Sequence, residues 1–129
     1  MQIDDAEILD EVRATFERYE AALVANDREA LVDFFLDAPT TVRYGIDDSQ
    51  YGHAELAAFR RSAATATPPR DLRRTVITAF GSEVAVANTE FVPHGSDAVG
   101  RQSQVWVRTD AGWKVASAHV SWLGGRSPA

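Results

Sequence analysis

Hydrophobic residues along this chain change their spacing near residue 70. Before that point they recur at three and four. Ile8, Val12, Phe16, Tyr19 and Leu23 form one stripe, which predicts a long amphipathic helix opened by Asp4 and Glu7 as a capping box. Asn26 suits a C-terminal cap and Asp27 the cap of a short second helix, with Leu31, Phe34 and Phe35 on its apolar face and Pro39 ending the region. A hairpin is predicted over residues 40–52, with Gly45 and Asp47-Asp48-Ser49 at its turn, and a third helix over 53–63, in which Leu56, Phe59 and Arg60 lie three and four apart. After the loop ATATPPRD the period becomes two. LRRTVITAF, EVAVANTEF, GRQSQVWVRT and WKVASAHVSWL read as four strands joined as a meander, two of the joins being tight turns at Gly81-Ser82 and Asp110-Ala111-Gly112.

Helices first and strands afterwards predict an α+β domain: three N-terminal helices, a small hairpin and a curved antiparallel sheet. A sheet that curls over one long helix makes a half-open cone, whose mouth is a natural pocket. The expected organisation is one domain over residues 1–123 and a flexible tail over 124–129.

Composition narrows the chemistry. The 129 residues are 45% hydrophobic and 25% charged, with a formal net charge of −6 and no basic face, which argues against nucleic acid. No apolar run approaches a membrane span, and the acidic N-terminus lacks a signal-peptide pattern, so a cytoplasmic protein is expected. The absence of cysteine removes thiol catalysis, disulfides and thiolate metal sites. His53, His94 and His119 have no metal-ligand spacing, so no metal is expected, and the lack of a G-x-S-x-G elbow argues against a serine hydrolase; no cofactor is expected.

Arg43 is anomalous: a charge inside a short strand candidate, between Val42 and Tyr44. Buried without a partner it would cost more than the strand gains. Either it points to water, or something negative meets it, and a ligand carboxylate suits its planar fork. Because twelve of the thirteen basic residues are arginine, position rather than residue type carries this argument. Tyr19, polar-tipped on an apolar stripe, reads either as a core tyrosine or as a pocket phenol able to act as acid or base beside a cation. Strand alternation groups Gln102 with Gln104, and His119 with Ser121; we expect these four in the pocket. Glu90 is open as a pocket base or as an ion-pair partner. Ala116, Ala118, Val120 and Trp122, with Val105 and Val107, are expected on an outer apolar face suited to a homodimer.

The segments FERYEAALVANDREAL, TVRYG, YGHAELAAFR, LRRTVITAFG, NTEF, GRQSQVWVR and AHVS, in that order, resemble the AtzH-like family. This family belongs to the nuclear transport factor two-like (NTF2-like, SnoaL-like) superfamily and includes the oxalurate-catabolism protein HpxZ. The resemblance implies the cone-shaped fold and a place in nitrogen catabolism beside amidases. It also implies amide cleavage in a small carboxylated urea, with Tyr19 and Arg43 as the catalytic pair. With the strand-parity reading added, the expectation is a cofactor-free reaction in which Arg43, Gln102, Gln104, His119 and Ser121 contact the substrate. The alternative is a non-catalytic module that binds a small carboxylate and supports a partner amidase.

Overall fold

The computed structural model describes residues 1–62 and 66–124, so the last residue of the expected third helix and most of the expected tail lie outside it. Helix α1 spans Ala6–Ala25, α2 Arg28–Asp33 and α3 His53–Ser62. Strands β1 (Val42–Tyr44) and β2 (Ser49–Tyr51) form the hairpin, and β3 (Arg70–Phe80), β4 (Val84–Pro93), β5 (Gly100–Thr109) and β6 (Gly112–Trp122) form the meander.

The caps follow the local chemistry, with one shift. Asp5, not Asp4, caps α1, its carboxylate accepting from the Ile8 amide. Asp4 instead adopts a positive φ of 57° and its side chain accepts from the Ala79 amide, tying the N-terminus to β3. Asn26 closes α1 in the left-handed conformation, and Asp27 caps α2 by accepting from the Ala30 amide.

All six strands make one sheet in the order β2-β1-β6-β5-β4-β3. The meander and the hairpin are antiparallel as expected, but β1 runs parallel to β6, with Arg43 opposite Ala118. The sheet is therefore mixed at this one junction: β1 reaches β6 only after the helices and docks on the last strand in the same direction. The α1 stripe sits on the concave side. Val12, Phe16, Tyr19 and Leu23 pack with Leu31, Phe35, Trp106, Trp113 and Val115. Alanines at 79, 85 and 87 are fully buried, or nearly so, on that side, and their small side chains let α1 approach the sheet closely. Trp106 is completely buried and touches the Tyr19 and Phe34 rings edge-on; truncating such an indole to alanine costs about 3–5 kcal/mol.

The β5–β6 register shifts between Val105 and Trp106, which face Ser117 and Val115 and leave Ala116 as an extra residue. Trp113 and Val115 point inward before the bulge, and Ala118 is buried after it. The outer apolar register expected from Ala118, Val120 and Trp122 is thus turned over: all three line the interior cavity described below.

Candidate functional site

One register row across the sheet aligns Ala87, Gln104, Ala118, Arg43 and Gln50. Side chains in one row share a face, so Arg43 and Gln104 are carried to the same concave side with only Ala118 between them. The next inward row brings Thr89, Gln102 and Val120. Above these rows lies a cavity of about 300 Å³, closed by Tyr19 and Leu23 of α1, Arg60 of α3 and the β1–β2 turn.

The structure therefore gathers four of the six expected site residues, Tyr19, Arg43, Gln102 and Gln104. It does not bring His119 or Ser121 into this cavity. Both lie beyond the bulge on the other face, where His119 is exposed and its ring meets Tyr44 at 5.7 Å. Glu90 resolves to an ion-pair residue, accepting from Arg73 Nε at 2.9 Å.

Arg43 carries its own negative partner. Its Nη1 donates to Asp48 Oδ1 at 2.7 Å and to Gln50 Oε1 at 2.9 Å, and Gln50 Nε2 donates to the same carboxylate oxygen at 2.8 Å. The hairpin thus answers its strand charge from within. Gly45 makes this possible: a Cβ there would sit 2.5 Å from Asp48 Oδ1 and 2.7 Å from Arg43 Nη1.

Two further arginines line the cavity. Arg70 is almost fully buried and satisfied. It holds Glu20 through Nη2–Oε1 at 2.7 Å and Nε–Oε2 at 3.3 Å, donates to Gln102 Oε1 at 3.0 Å, and lies over the Phe91 ring at 4.3 Å. Gln102 Nε2 in turn donates to Glu20, so this corner is a closed network.

Arg60 is different. It is 8% exposed, and no carboxylate pairs with it among the described residues. Its Nε has no hydrogen-bond partner, and Nη2 reaches only the Tyr19 hydroxyl, at 3.4 Å. Burial pushes its pKa below the ordinary guanidinium value; the Tyr19 oxygen works against that shift, nearby Arg43 adds to it, and the Asp48 carboxylate, without touching Arg60, offsets it in part. Even so an arginine stays protonated at neutral pH, so a positive charge stands in this cavity with its solvation only partly replaced.

Beside the carboxylates of Asp47 and Asp48, further donors face the cavity. The Trp106 indole N–H can only donate, and it donates to Gln104 Oε1 at 3.1 Å; the Gln104 amide nitrogen is left as the group to face the cavity it lines. Trp122 Nε1 is buried and without a partner. Tyr19 is 3% exposed, its ring wedged against Phe34, Phe35 and Trp106: it is a core residue that also lines the cavity. Among the described residues no cluster of three His, Asp or Glu gathers as metal ligands would, and no helix is long and apolar enough to cross a membrane.

The AtzH-like family model matches residues 1–126. The chain belongs to the AtzH-like family. Solved structures agree. A protein of unknown function from Pectobacterium atrosepticum is 45% identical over 94% of each chain, with a TM-score of 0.90. A cystatin-like fold protein from Burkholderia xenovorans is 41% identical over 99% of each chain, also at 0.90. An NTF2-like protein of unknown function from Pseudomonas putida, 20% identical over 91% of this chain and 87% of its own, reaches 0.74 and shares the fold. No curated protein matches the chain. This AtzH-like chain thus has the NTF2-like cone and, in its mouth, a small-molecule pocket rich in donors.

The sequence carried one overlooked signal for that pocket. Arg60 follows Leu56 by one helical turn on the apolar face of α3, and a cation on a buried stripe is the same anomaly that marks Arg43.

Proposed function

We propose that this AtzH-like protein binds a small carboxylate bearing an amide or urea group, of the oxalurate type, and cleaves its amide bond without a cofactor. The observation that carries this reading is Arg60: a buried guanidinium with an unpartnered Nε, beside the Tyr19 hydroxyl and with no acid of its own. A ligand carboxylate on Arg60 would supply the missing charge and acceptor together. Gln104 and the free edge of Arg43 are the donors for the adjacent carbonyl, whose oxygen gains negative charge as water adds.

Tyr19 then handles protons. In its reactive phenolate form, held by Arg60, it takes a proton from the attacking water. As the carbon–nitrogen bond breaks it returns that proton to the departing nitrogen, so that Tyr19 ends as it began. The role that family resemblance gives to Arg43 as cationic partner of the tyrosine passes here to Arg60, because Arg43 is occupied by Asp48.

A second reading, binding without turnover in support of a partner amidase, is favoured by one fact. Asp48 is engaged by Arg43 and Glu20 by Arg70, and Asp47, the other lining carboxylate, is exposed, so among the described residues no buried carboxylate at the cavity is free to serve as base. Purified protein incubated with oxalurate or carboxylated biuret separates the two. Release of the departing nitrogen fragment, which for oxalurate is urea with oxalate left behind, supports the enzyme; calorimetric binding without release supports the module; neither binding nor release refutes both. In either case we place the chain in nitrogen catabolism, as a homodimer joined through the outer sheet face.

A further inference from the structure

We infer that Trp106 is a positioning residue for this site: by fixing the Gln104 amide it makes β5 read a hydrogen-bond acceptor on the ligand and turn away an N–H at the same place. The inference rests on the binding half of the function proposed above and adds the polarity of one contact to it. Gln102, Gln104 and Trp106 are successive inward residues of β5, and all three are buried. Gln102 has no free end with which to read a ligand. Its Oε1 accepts from Arg70 Nη2 at 3.0 Å, and its Nε2 donates to Glu20 Oε1 at 3.2 Å. Gln104 is held at one end only. Its Oε1 accepts from Trp106 Nε1 at 3.1 Å, and its Nε2 has no partner among the described residues. Gln104 lines the cavity, and Nε2 is the end of the side chain left to meet it.

An amide turns over by rotation about its last bond, exchanging oxygen for nitrogen, unless a neighbour tells the two ends apart. The neighbours of Gln104 in its row across the sheet are Ala87 and Ala118, which have no polar side-chain atom. Trp106 does tell the ends apart. Its indole nitrogen is a donor only, so a reversed amide would set donor against donor and leave both unpaired in the core. The indole has no room to move aside, because Trp106 is completely buried with the rings of Tyr19 and Phe34 edge-on at 6.0 and 6.3 Å. The cavity therefore meets an N–H at Gln104 and not a carbonyl. A carbonyl or carboxylate oxygen of the ligand satisfies that N–H. A ligand N–H is repelled, and an apolar group leaves the Gln104 donor unpaired. A ligand amide is thus taken one way round, with its oxygen on Gln104 and its nitrogen directed away from β5.

Two pairs of probes differ only by an oxygen against a methylene, double-bonded to the carbon beside a carboxylate: pyruvate with methacrylate, and oxaloacetate with itaconate. Charge and planar shape are matched within each pair, so the ratio of affinities reads the contact to Gln104 whatever total charge the cavity takes. In a pair that binds, calorimetry is expected to find the keto acid at least about tenfold tighter on the wild type. Gln104→Met removes the N–H and keeps the length of the side chain; the ratio should fall to about one or lower. Trp106→benzothienylalanine keeps the shape of the indole with sulfur in place of its N–H, and should lower the ratio at least about threefold. Trp106→5-fluorotryptophan keeps the N–H and should preserve it. A wild type without preference for the keto acid overturns the inference, as does a ratio unmoved by Gln104→Met or by the benzothienyl side chain. Should the benzothienyl protein not fold, NMR of the wild type decides. Adding the keto acid should shift the Gln104 side-chain amide protons and leave the Trp106 indole proton slow to exchange; an unshifted amide or a fast-exchanging indole overturns the inference. Failure of all four probes to bind overturns it together with the binding half of the proposed function. The expected ratios without urea release from oxalurate support the inference and remove only the catalytic half.

Discussion

Replacing Arg60 by methionine should make the protein more stable and its pocket useless. The two effects have the same origin. In the free protein the Arg60 side chain is buried, its Nε makes no hydrogen bond, and its one polar contact is a 3.4 Å approach to Tyr19. An unsatisfied buried donor costs about 1–3 kcal/mol, more where the group is charged. Methionine fills much of the same volume without that cost, and its flexible chain can keep contact with Phe59, over whose ring the guanidinium now lies at 5.9 Å. Against this, the Tyr19 hydroxyl loses a weak donor, worth about 0.5–1 kcal/mol. The net expectation is a gain of about 1–2 kcal/mol, which for a domain of this size raises Tm by roughly 3–10 °C. Affinity moves the other way. Loss of a charge-assisted contact to a carboxylate costs about 1.5–3 kcal/mol, or roughly 10- to 150-fold in Kd. Scanning calorimetry with and without oxamate reads both effects: the ligand should raise the Tm of the wild type and leave that of Arg60→Met unmoved. A variant that loses stability like an ordinary core truncation while still responding to oxamate would refute the reasoning, because Arg60 would then be a structural residue whose charge is satisfied in some other way.

Tyr19→Phe keeps the ring contacts with Phe34, Phe35 and Trp106, so folding should survive, while urea release from oxalurate falls by about 100-fold or more; unchanged turnover would make Tyr19 a core residue only. Gly45→Ala should push Asp48 away from Arg43 and lower stability by about 1 kcal/mol, seen as a reduced Tm that is absent when Asp48→Ala is already present. Anion binding should be flat from about pH 5 to 9 and indifferent to His119→Ala, because the guanidinium of Arg60 keeps its proton throughout that range even with its pKa depressed, whereas a histidine anchor would lose affinity as pH rises through about 6.5. For the outer face, Val105→Glu should convert a dimer to a monomer in light scattering without unfolding the chain; a species that stays dimeric places the contact elsewhere.

The helical part of this fold was legible because its signals are local. The α1 stripe, the Asn26 and Asp27 caps and the period change near residue 70 each act within a few residues, and each lies where the pattern put it to within a position or two. The parallel docking of β1 on β6 was not legible, since it joins segments some seventy residues apart and leaves no trace in either alternation.

The misplacement of His119 and Ser121 has a more instructive cause, because its signal was present. Apolar residues in β6 occupy odd positions at Trp113 and Val115 and even positions at Ala118, Val120 and Trp122. Read as one uninterrupted strand, that sequence must expose one of the two sets. A single extra residue reconciles them, and the register shift at Ala116 is that residue. β3 repeats the pattern: Leu72 and Ile77 both pack against the core across a register shift between Arg73 and Val76, where Arg74 takes a φ of 53°. A switch in the parity of apolar residues therefore marks a bulge, and everything beyond it turns over. Here that turn decides the chemistry. It puts Ala118, Val120 and Trp122 against the ligand space and leaves the walls there apolar or small. The polar work then falls to Gln102 and Gln104 on β5, whose register is unbroken across β4, and to the three arginines. An imidazole at position 119 in the cavity would have been a second candidate for proton transfer; its placement on the opposite face is why the proposed reaction gives that role to Tyr19, beside the cavity guanidinium of Arg60.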